Sequence, residues 1–381
     1  MIVIADDITG AAEIAGIAFS KGHQVSLVCG SSVCCDIVAA QTTVIATDTR
    51  SMSESEAIIE THRIASPYRG EVGGGLLFKK TDSALRGHVV AELSMLMQVT
   101  GYERAVYLPA NPSKGRIIKD GVYYIKEVSG ERLEVRDVPI SETAFSYDPE
   151  FPAKTSVLKE RFPDAEAKGI IMPDAENEED IQQVIAAYDD GKTIFAGAAD
   201  LFSALLSLSN NPTSTTSNTS VTSQSTLILC GSTQSKPLEL GIPIAPMPRE
   251  VYDGNEDLSL WDTSEYAHAH SIILTMPYTH RTGKEAAVYL RTMMAEKAKA
   301  LIHEQFLPAL NREGQGEGLH LIIEGGATAW ATLQALGWNQ FNIERQIAPG
   351  VVQMSATNGT LVTLKPGSYP WGNLFATFAN R

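Results

Sequence analysis

The sequence predicts an α/β protein of two domains, each built on a mainly parallel sheet flanked by helices, with the functional site in the cleft between them. Three observations predict it. Apolar, strand-like runs alternate with helical stretches along most of the chain, the pattern of βαβ units. The length of 381 residues exceeds the roughly 250 to 300 at which a single hydrophobic core stops growing. One compositional break, "SLSNNPTSTTSNTSVTSQST" at residues 207–226, is almost wholly Ser, Thr, Asn, Gln and Pro, so it cannot bury enough apolar surface to fold and reads as a linker or long loop. The expected domains are therefore 1–206 and 227–381.

The elements follow in order. "MIVIA" is a strand and "TGAAEIAGIAFSKG" a helix, stopped at Gly22 after Lys21 in its last turn. "HQVSLVCG" and "TTVIATDT" are strands, a helix runs from about Ser53 to Ala65, and "GLLFKK", "VVAELSMLMQVTG" and "RAVYLPA" read as strand, helix, strand. Residues 121–150 form a short antiparallel insertion. "EEDIQQVIAAYDD" is helical and "TIFAGAA" is a strand; the stretch ending in Gly191-Lys192-Thr193 thus leaves a helix and enters a strand, the reverse of what a P-loop needs. Beyond the linker, "TLILCGSTQ" and "HSIILTM" are strands, "GLHLIIEGGATAWATLQALGW" is strand, turn and helix, and "TLVTLKPG" is the last strand.

Composition removes several classes. Thirty basic against 45 acidic residues give a net charge of −15, and no Lys/Arg block offsets it, which argues against nucleic acid but leaves room for a small anion in a local cationic pocket. No apolar run approaches the roughly 18 residues a membrane span needs. Met1 runs straight into "IVIADD" without the features of a secretory signal, so a cytoplasmic location is expected. Cys29, Cys34, Cys35 and Cys230 show neither CxxC nor framework spacing and read as packed thiols. His268 and His270 have ligand-like spacing but no accompanying acid or Cys cluster, so no metal ligand set is assigned.

In open α/β sheets the loops after the strands' C-terminal ends bind ligands. Asp6-Asp7 falls there, read either as an N-cap carboxylate or as a ligand group; Thr9 can cap the helix with its hydroxyl and Gly10 permits close backbone approach. "FKKTDSALRGH" packs Lys79, Lys80, Asp82, Ser83 and Arg86 into another strand-end loop, where Arg can grip a carboxylate bidentately and Asp can take a hydroxyl proton. "LPANPSKGRIIKDG" adds Asn111, Lys114, Gly115 and Arg116. Together the three loops suit a polyol bearing an acid group. In the later half "CGST", "EGGATA" and "KPGS" place glycine turns directly after strands, where exposed N–H groups and a helix dipole suit phosphate. No G-x-G-x-x-G with an acid about 20 positions on is present, which argues against a Rossmann dehydrogenase.

Taken in order, "IADDITGA", "KKTDSALRG", "PANPSKGRIIKDG", "PDAENEEDI", "LILCGST", "IIEGGATA", "IAPGV" and "LKPGS" resemble the four-carbon acid sugar kinase family (DUF1537, YgbK-like) over nearly the whole chain. The resemblance implies a sugar-acid-binding first domain, a nucleotide-binding second domain, and phosphorylation by ATP, with Mg²⁺, of the terminal (4-) hydroxyl of a substrate such as threonate, erythronate or 3-oxo-tetronate. It places the acid against Asp6, Asp7, Thr9, Lys79, Asp82, Ser83, Arg86 and the loop of Asn111, Gly115 and Arg116. ATP would meet Gly231, Ser232, Gly325, Gly326, Thr328, Pro349, Gly350 and Gly367. Asp7, or else Asp82, is expected to accept the hydroxyl proton, and Arg86 to hold the substrate carboxylate. One departure stands out: many relatives carry an acid after the double glycine, where this chain has Ala327 before Thr328, with Glu324 ahead of the glycines. A non-catalytic, nucleotide-regulated sugar-acid-binding protein is the alternative. The expected partners are the sugar acid and ATP, with neither nucleic acid nor membrane, and a homodimer is left open.

Overall fold

Strands covered on both faces by helices are apolar throughout, and these runs are built that way. The structure, a computed structural model, describes all residues except 31–39, 71–76, 130–133, 149, 209–224, 233–237, 307–317, 368 and 378–381. Most of the Ser/Thr-rich stretch, and with it the linker expectation, lies outside the described residues, as do Cys34 and Cys35. The chain divides into two compact units, residues 1–23 with 30–213 and residues 24–29 with 214–381.

The chain begins with β1 (Ile2–Ala5) and α1 (Ile8–Ser20), passes through β2 (Val25–Cys29), which clusters with the second unit, and returns with β3 (Thr42–Ala46) and α2 (Glu54–Ala65). The first unit continues with β4 (Leu77–Lys80), α3 (Val89–Thr100), β5 (Arg104–Leu108), β6 (Arg116–Lys119), β7 (Val122–Ser129), β8 (Glu134–Pro139), α4 (Leu158–Arg161), β9 (Ile170–Ile171), α5 (Glu178–Tyr188), β10 (Thr193–Gly197) and α6 (Ala199–Leu208). Its main sheet is parallel, in the order β3-β1-β4-β10-β5-β9, and β6, β7 and β8 form the antiparallel insertion expected from the sequence. Helix α1 packs on α6 and α2 on α3. The two groups cover opposite faces: neighbouring residues of a strand point oppositely, and on β4 Lys79 reaches Glu92 of α3 while Lys80 approaches Glu13 of α1. Helix α2 starts in a capping box in which Ser53 and Glu56 satisfy each other's backbone N–H.

The second unit runs β11 (Ser225–Cys230), β12 (Ile244–Pro246), α7 (Arg249–Asp253), β13 (Ser271–Thr275), α8 (Lys284–Leu301), β14 (Leu319–Glu324), α9 (Gly326–Leu336), β15 (Gln340–Ala348), β16 (Val351–Ala356) and β17 (Leu361–Lys365). Strands β12-β13-β11-β14-β17 are parallel; β16 and β15 follow antiparallel, and β2 pairs antiparallel with β15, Leu27 opposite Phe341. The sequence places β2 among the first strands, and its antiparallel pairing with β15 is not visible there. Its five residues "VSLVC" are all buried and carry the same apolar signal as a parallel strand, so nothing local reveals the partner.

Candidate functional site

In the first unit the register aligns Ala46, Ala5, Lys80, Gly197 and Leu108 in one row across β3, β1, β4, β10 and β5. The residues that follow each strand therefore emerge along one edge of the sheet. Strand β10 inserts between β4 and β5, so the second and third candidate loops are not immediate neighbours. They are tied instead by Arg116, whose Nη1 donates to Ser83 Oγ, and by Tyr123, whose hydroxyl donates to the Ser83 carbonyl.

Arg50, in the loop after β3, organises the first two loops. Its Nε and Nη2 donate to Asp6 at 2.9 and 2.8 Å, Nη2 also to Asp7 at 3.0 Å, and Nη1 lies 3.6 Å from Asp82. Three carboxylates from two strand ends thus share one guanidinium. Burial raises the Asp6 carboxyl above its usual range and outweighs the pull of Arg50, while adjacent Asp7 adds to the rise. For Asp7 burial also opposes ionisation, but Arg50, the Thr9 hydroxyl, Lys80 and the Gly10 N–H together hold its carboxyl below the usual range. Asp82 is held well below it against burial by Arg50, Arg86 and Lys80. Asp7 is thereby ionised, and its side chain, 16% exposed against 2% for Asp6, is the more open of the pair.

Several expected roles change. Asp7, not Thr9, is the N-cap of α1: its Oδ1 accepts from Gly10 N at 2.9 Å, and Thr9, inside the helix, donates its hydroxyl to Asp7 Oδ2. Lys79 is fully buried in an ion pair with Glu92, which also accepts from Thr49 Oγ1 at 2.9 Å. Arg86 is not an open fork, because Asp82 engages it bidentately, both bonds at 2.9 Å, with Asp148 3.5 Å from Nη1. Lys80 and Lys114 converge on Glu13, which sits on α1 in a run of small residues and gave no signal in the sequence. Asn111 and its loop are held by Asp200 at the start of α6, which accepts from Ser113 N and Oγ at 2.8 and 2.7 Å while its own N–H donates to Asn111 at 3.1 Å. Gly115 makes the turn into β6 at φ 66°.

In the second unit the C-terminal ends of neighbouring β11, β14 and β17 carry the three glycine turns side by side. They approach too closely for any side chain: a Cβ on Gly231 would strike Thr328, and one on Gly367 would strike Ser232. Ser232 lies 3.6 Å from the Cβ position of Gly325, the N-cap of α9, which has no side-chain cap. Gly326 and Thr328 lie in the first turn of that helix, so its leading N–H groups and dipole face the crowded edge, a cradle of the kind that takes phosphate. Pro349 and Gly350 form the turn between β15 and β16, and a Cβ on Gly350 would meet Tyr369 at 2.5 Å and Pro366 at 3.7 Å, so this turn packs on the segment after β17. Glu324 is 2% exposed and paired with Lys365, whose Nζ also donates to Gly367 O at 3.0 Å and sits 4.8 Å from the Trp371 ring centre. Glu324 is thereby tied, through Lys365, to the Gly367 turn. Among the described residues there is no cluster of three His, Cys, Asp or Glu able to hold a metal by itself.

Residues 1–164 match the model of a sugar-binding N-terminal domain and residues 260–369 that of a nucleotide-binding C-terminal domain. A D-threonate kinase from Salmonella typhimurium is 28% identical over 234 residues, 54% of this chain and 53% of that protein, so the match spans about half of that relative's length. A 3-oxo-tetronate kinase from Actinobacillus succinogenes is 24% identical over 402 aligned residues, 96% of each chain. A Haemophilus influenzae protein of the DUF1537 family shares the fold, with a TM-score of 0.68 at 20% identity over 100% of this chain and 99% of that one. With the two domain models in sequence order over the two halves that carry the carboxylate row and the glycine edge, the chain belongs to the four-carbon acid sugar kinase family.

Proposed function

We propose that the protein is an ATP-dependent kinase that phosphorylates the 4-hydroxyl of a four-carbon sugar acid such as threonate, erythronate or 3-oxo-tetronate. The observation that carries the reading is the division of chemistry between the units: a buried carboxylate and cation row on one, a glycine-lined phosphate cradle on the other. Phosphoryl transfer is chiefly positioning and charge neutralisation, so each substrate needs a built seat more than a covalent partner.

In this reading the acid lies along the strand ends of the first unit. Asp7, ionised and the more open of the two N-terminal aspartates, accepts the proton of the attacking hydroxyl. Asp6 and Asp82 fix the loops through Arg50 and Arg86. The triphosphate lies along Gly231, Ser232, Gly325, Gly326, Thr328 and Gly367, with Pro349-Gly350 at its margin. Mg²⁺ would neutralise phosphate charge, held mainly by phosphate oxygens and water as is usual for this ion. Turnover takes place in the cytoplasm.

A coupled assay of ADP release across D- and L-threonate, D- and L-erythronate and their 3-oxo forms tests this. Saturable release with one configuration is expected, since groups that pair one hydroxyl are left unsatisfied by its epimer. Ala327 and the engagement of Glu324 by Lys365 favour a second reading, a non-catalytic acid-binding protein regulated by nucleotide. Binding of acid and nucleotide with no ADP release from any acid would select it.

A further inference from the structure

We infer that Arg116, and not Arg86, grips the carboxylate of the acid substrate. The inference rests on the sugar-acid reading of the first unit and assigns the recognition of its charge.

A cation that takes a substrate carboxylate must not already be committed to a protein carboxylate. Arg50 serves Asp6, Asp7 and Asp82; Lys79 is locked to Glu92; Lys80 and Lys114 share Glu13; Arg86 is forked onto Asp82 with Asp148 nearby. Arg116 alone of the candidate cations has no carboxylate partner among the described residues. Its guanidinium is half-buried, held by one bond from Nη1 to Ser83 Oγ and by the Phe145 ring 5.7 Å away. Its backbone is fixed as well: it exchanges N–H and C=O bonds with Asn111 at 3.1 and 2.8 Å and opens β6 opposite Ile125. No acceptor among the described residues takes its Nε or Nη2. Ser83 Oγ, in accepting from Arg116, keeps its own proton to give, and that proton has no acceptor among the described residues either.

The result is a two-part anion seat, a guanidinium edge and a hydroxyl, next to Asp82 and on the same row of strand ends as Asp7. A guanidinium offers a planar pair of donors to a carboxylate, and holding it by an aromatic ring on one side and a neutral hydroxyl on the other leaves its charge uncancelled. The acid end of the substrate would lie at this seat and the chain of hydroxyls would run toward Asp7.

The test uses the full chain and two acceptors of equal length, the four-carbon acid that the wild type turns over and the alditol in which a CH₂OH replaces the carboxylate. For Arg116→Gln, KM for the acid is expected to rise about 10- to 100-fold with kcat within several-fold, the loss of a charge-assisted hydrogen-bond pair. The alditol constants should barely change, so the preference for the acid disappears. Arg116→Lys should restore part of it, charge without the fork. Arg86→Gln should keep the preference. Retention of the acid preference by Arg116→Gln, or its loss in Arg86→Gln, overturns the assignment. Calorimetric titration of the acid without nucleotide separates this from the kinase reading. Acid binding that Arg116→Gln weakens, in a protein that releases no ADP, leaves the seat standing and sinks the kinase; no acid binding to the wild type sinks both.

Discussion

At the scale of single residues, the question is which aspartate does chemistry and which holds the loop. In the proposed reaction Asp7 does both, and substitution can part the two roles. Asparagine caps a helix about as well as aspartate, so Asp7→Asn should leave α1 in place and the melting temperature within a few degrees, while kcat falls about 10²- to 10⁴-fold for want of a proton acceptor. Near-normal kcat would remove Asp7 from the reaction. Arg50 sets the pH range of that role. A base must be deprotonated, so activity is lost as pH falls through the Asp7 pKa, which Arg50 helps to hold low; in Arg50→Gln the pKa rises and the acid limb of kcat/KM should move to higher pH. A limb that stays put would mean another group controls it. Lys79 gives the contrast. Lys79→Met leaves Glu92 buried without its cation, which should cost about 3–5 kcal/mol in denaturant unfolding while KM for the acid is unchanged.

At the scale of elements, the parallel strands were legible because being buried on both faces makes them continuous apolar runs, and the end of α1 because its stop is written in Gly22. The β15–β16 hairpin was not. Its first strand alternates irregularly between exposed and buried and carries bulges, so no period of two stands out. Arg50 escaped notice for a related reason: one arginine in "TDTRSMSE" has no local signature, and its importance comes from three aspartates that the fold delivers from elsewhere. The clue available was that "TTVIATDT" also ends a strand on the same edge. One buried group gives the second sheet a pH dependence of its own. His320 on β14 is pushed down to about 4 by burial, with Arg345 adding to the effect, and its Nε2 lies 2.8 Å from Thr363 Oγ1. The folded state thus resists protonation that the unfolded chain accepts near pH 6.5. This contribution is fully present above about 6.5 and is lost as pH falls toward about 4, up to roughly 3 kcal/mol. Unfolding midpoints in urea at pH 5 and 7.5 should differ more for the wild type than for His320→Gln, and equal differences would count against the assignment.

At the scale of the whole molecule, the order of motifs along the chain said more than any one of them. Each glycine turn or charged loop has an ordinary structural explanation, and Asp7 bears out its own, being an N-cap; what the sequence could not supply was which groups cancel one another. The sequence places Arg86 on the substrate carboxylate and Lys79 beside the substrate, and does not show that Asp82 and Glu92 pair with them. The proposed division of labour between the units has a direct consequence for backbone protection. Hydrogen exchange measures local opening, and a ligand slows it where it adds contacts. With the acid alone, slowing should be confined to residues 6–10, 80–87 and 109–116; with a non-hydrolysable ATP analogue alone, it should fall on residues 230–232, 325–330, 349–350 and 366–367. The largest effect in the second set is expected at the first turn of α9, where uncapped N–H groups would gain phosphate oxygens as acceptors. An analogue that instead protects Asp6 to Gly10 would place the nucleotide on the carboxylate row, and the assignment of the two substrates to the two units would have to be reversed.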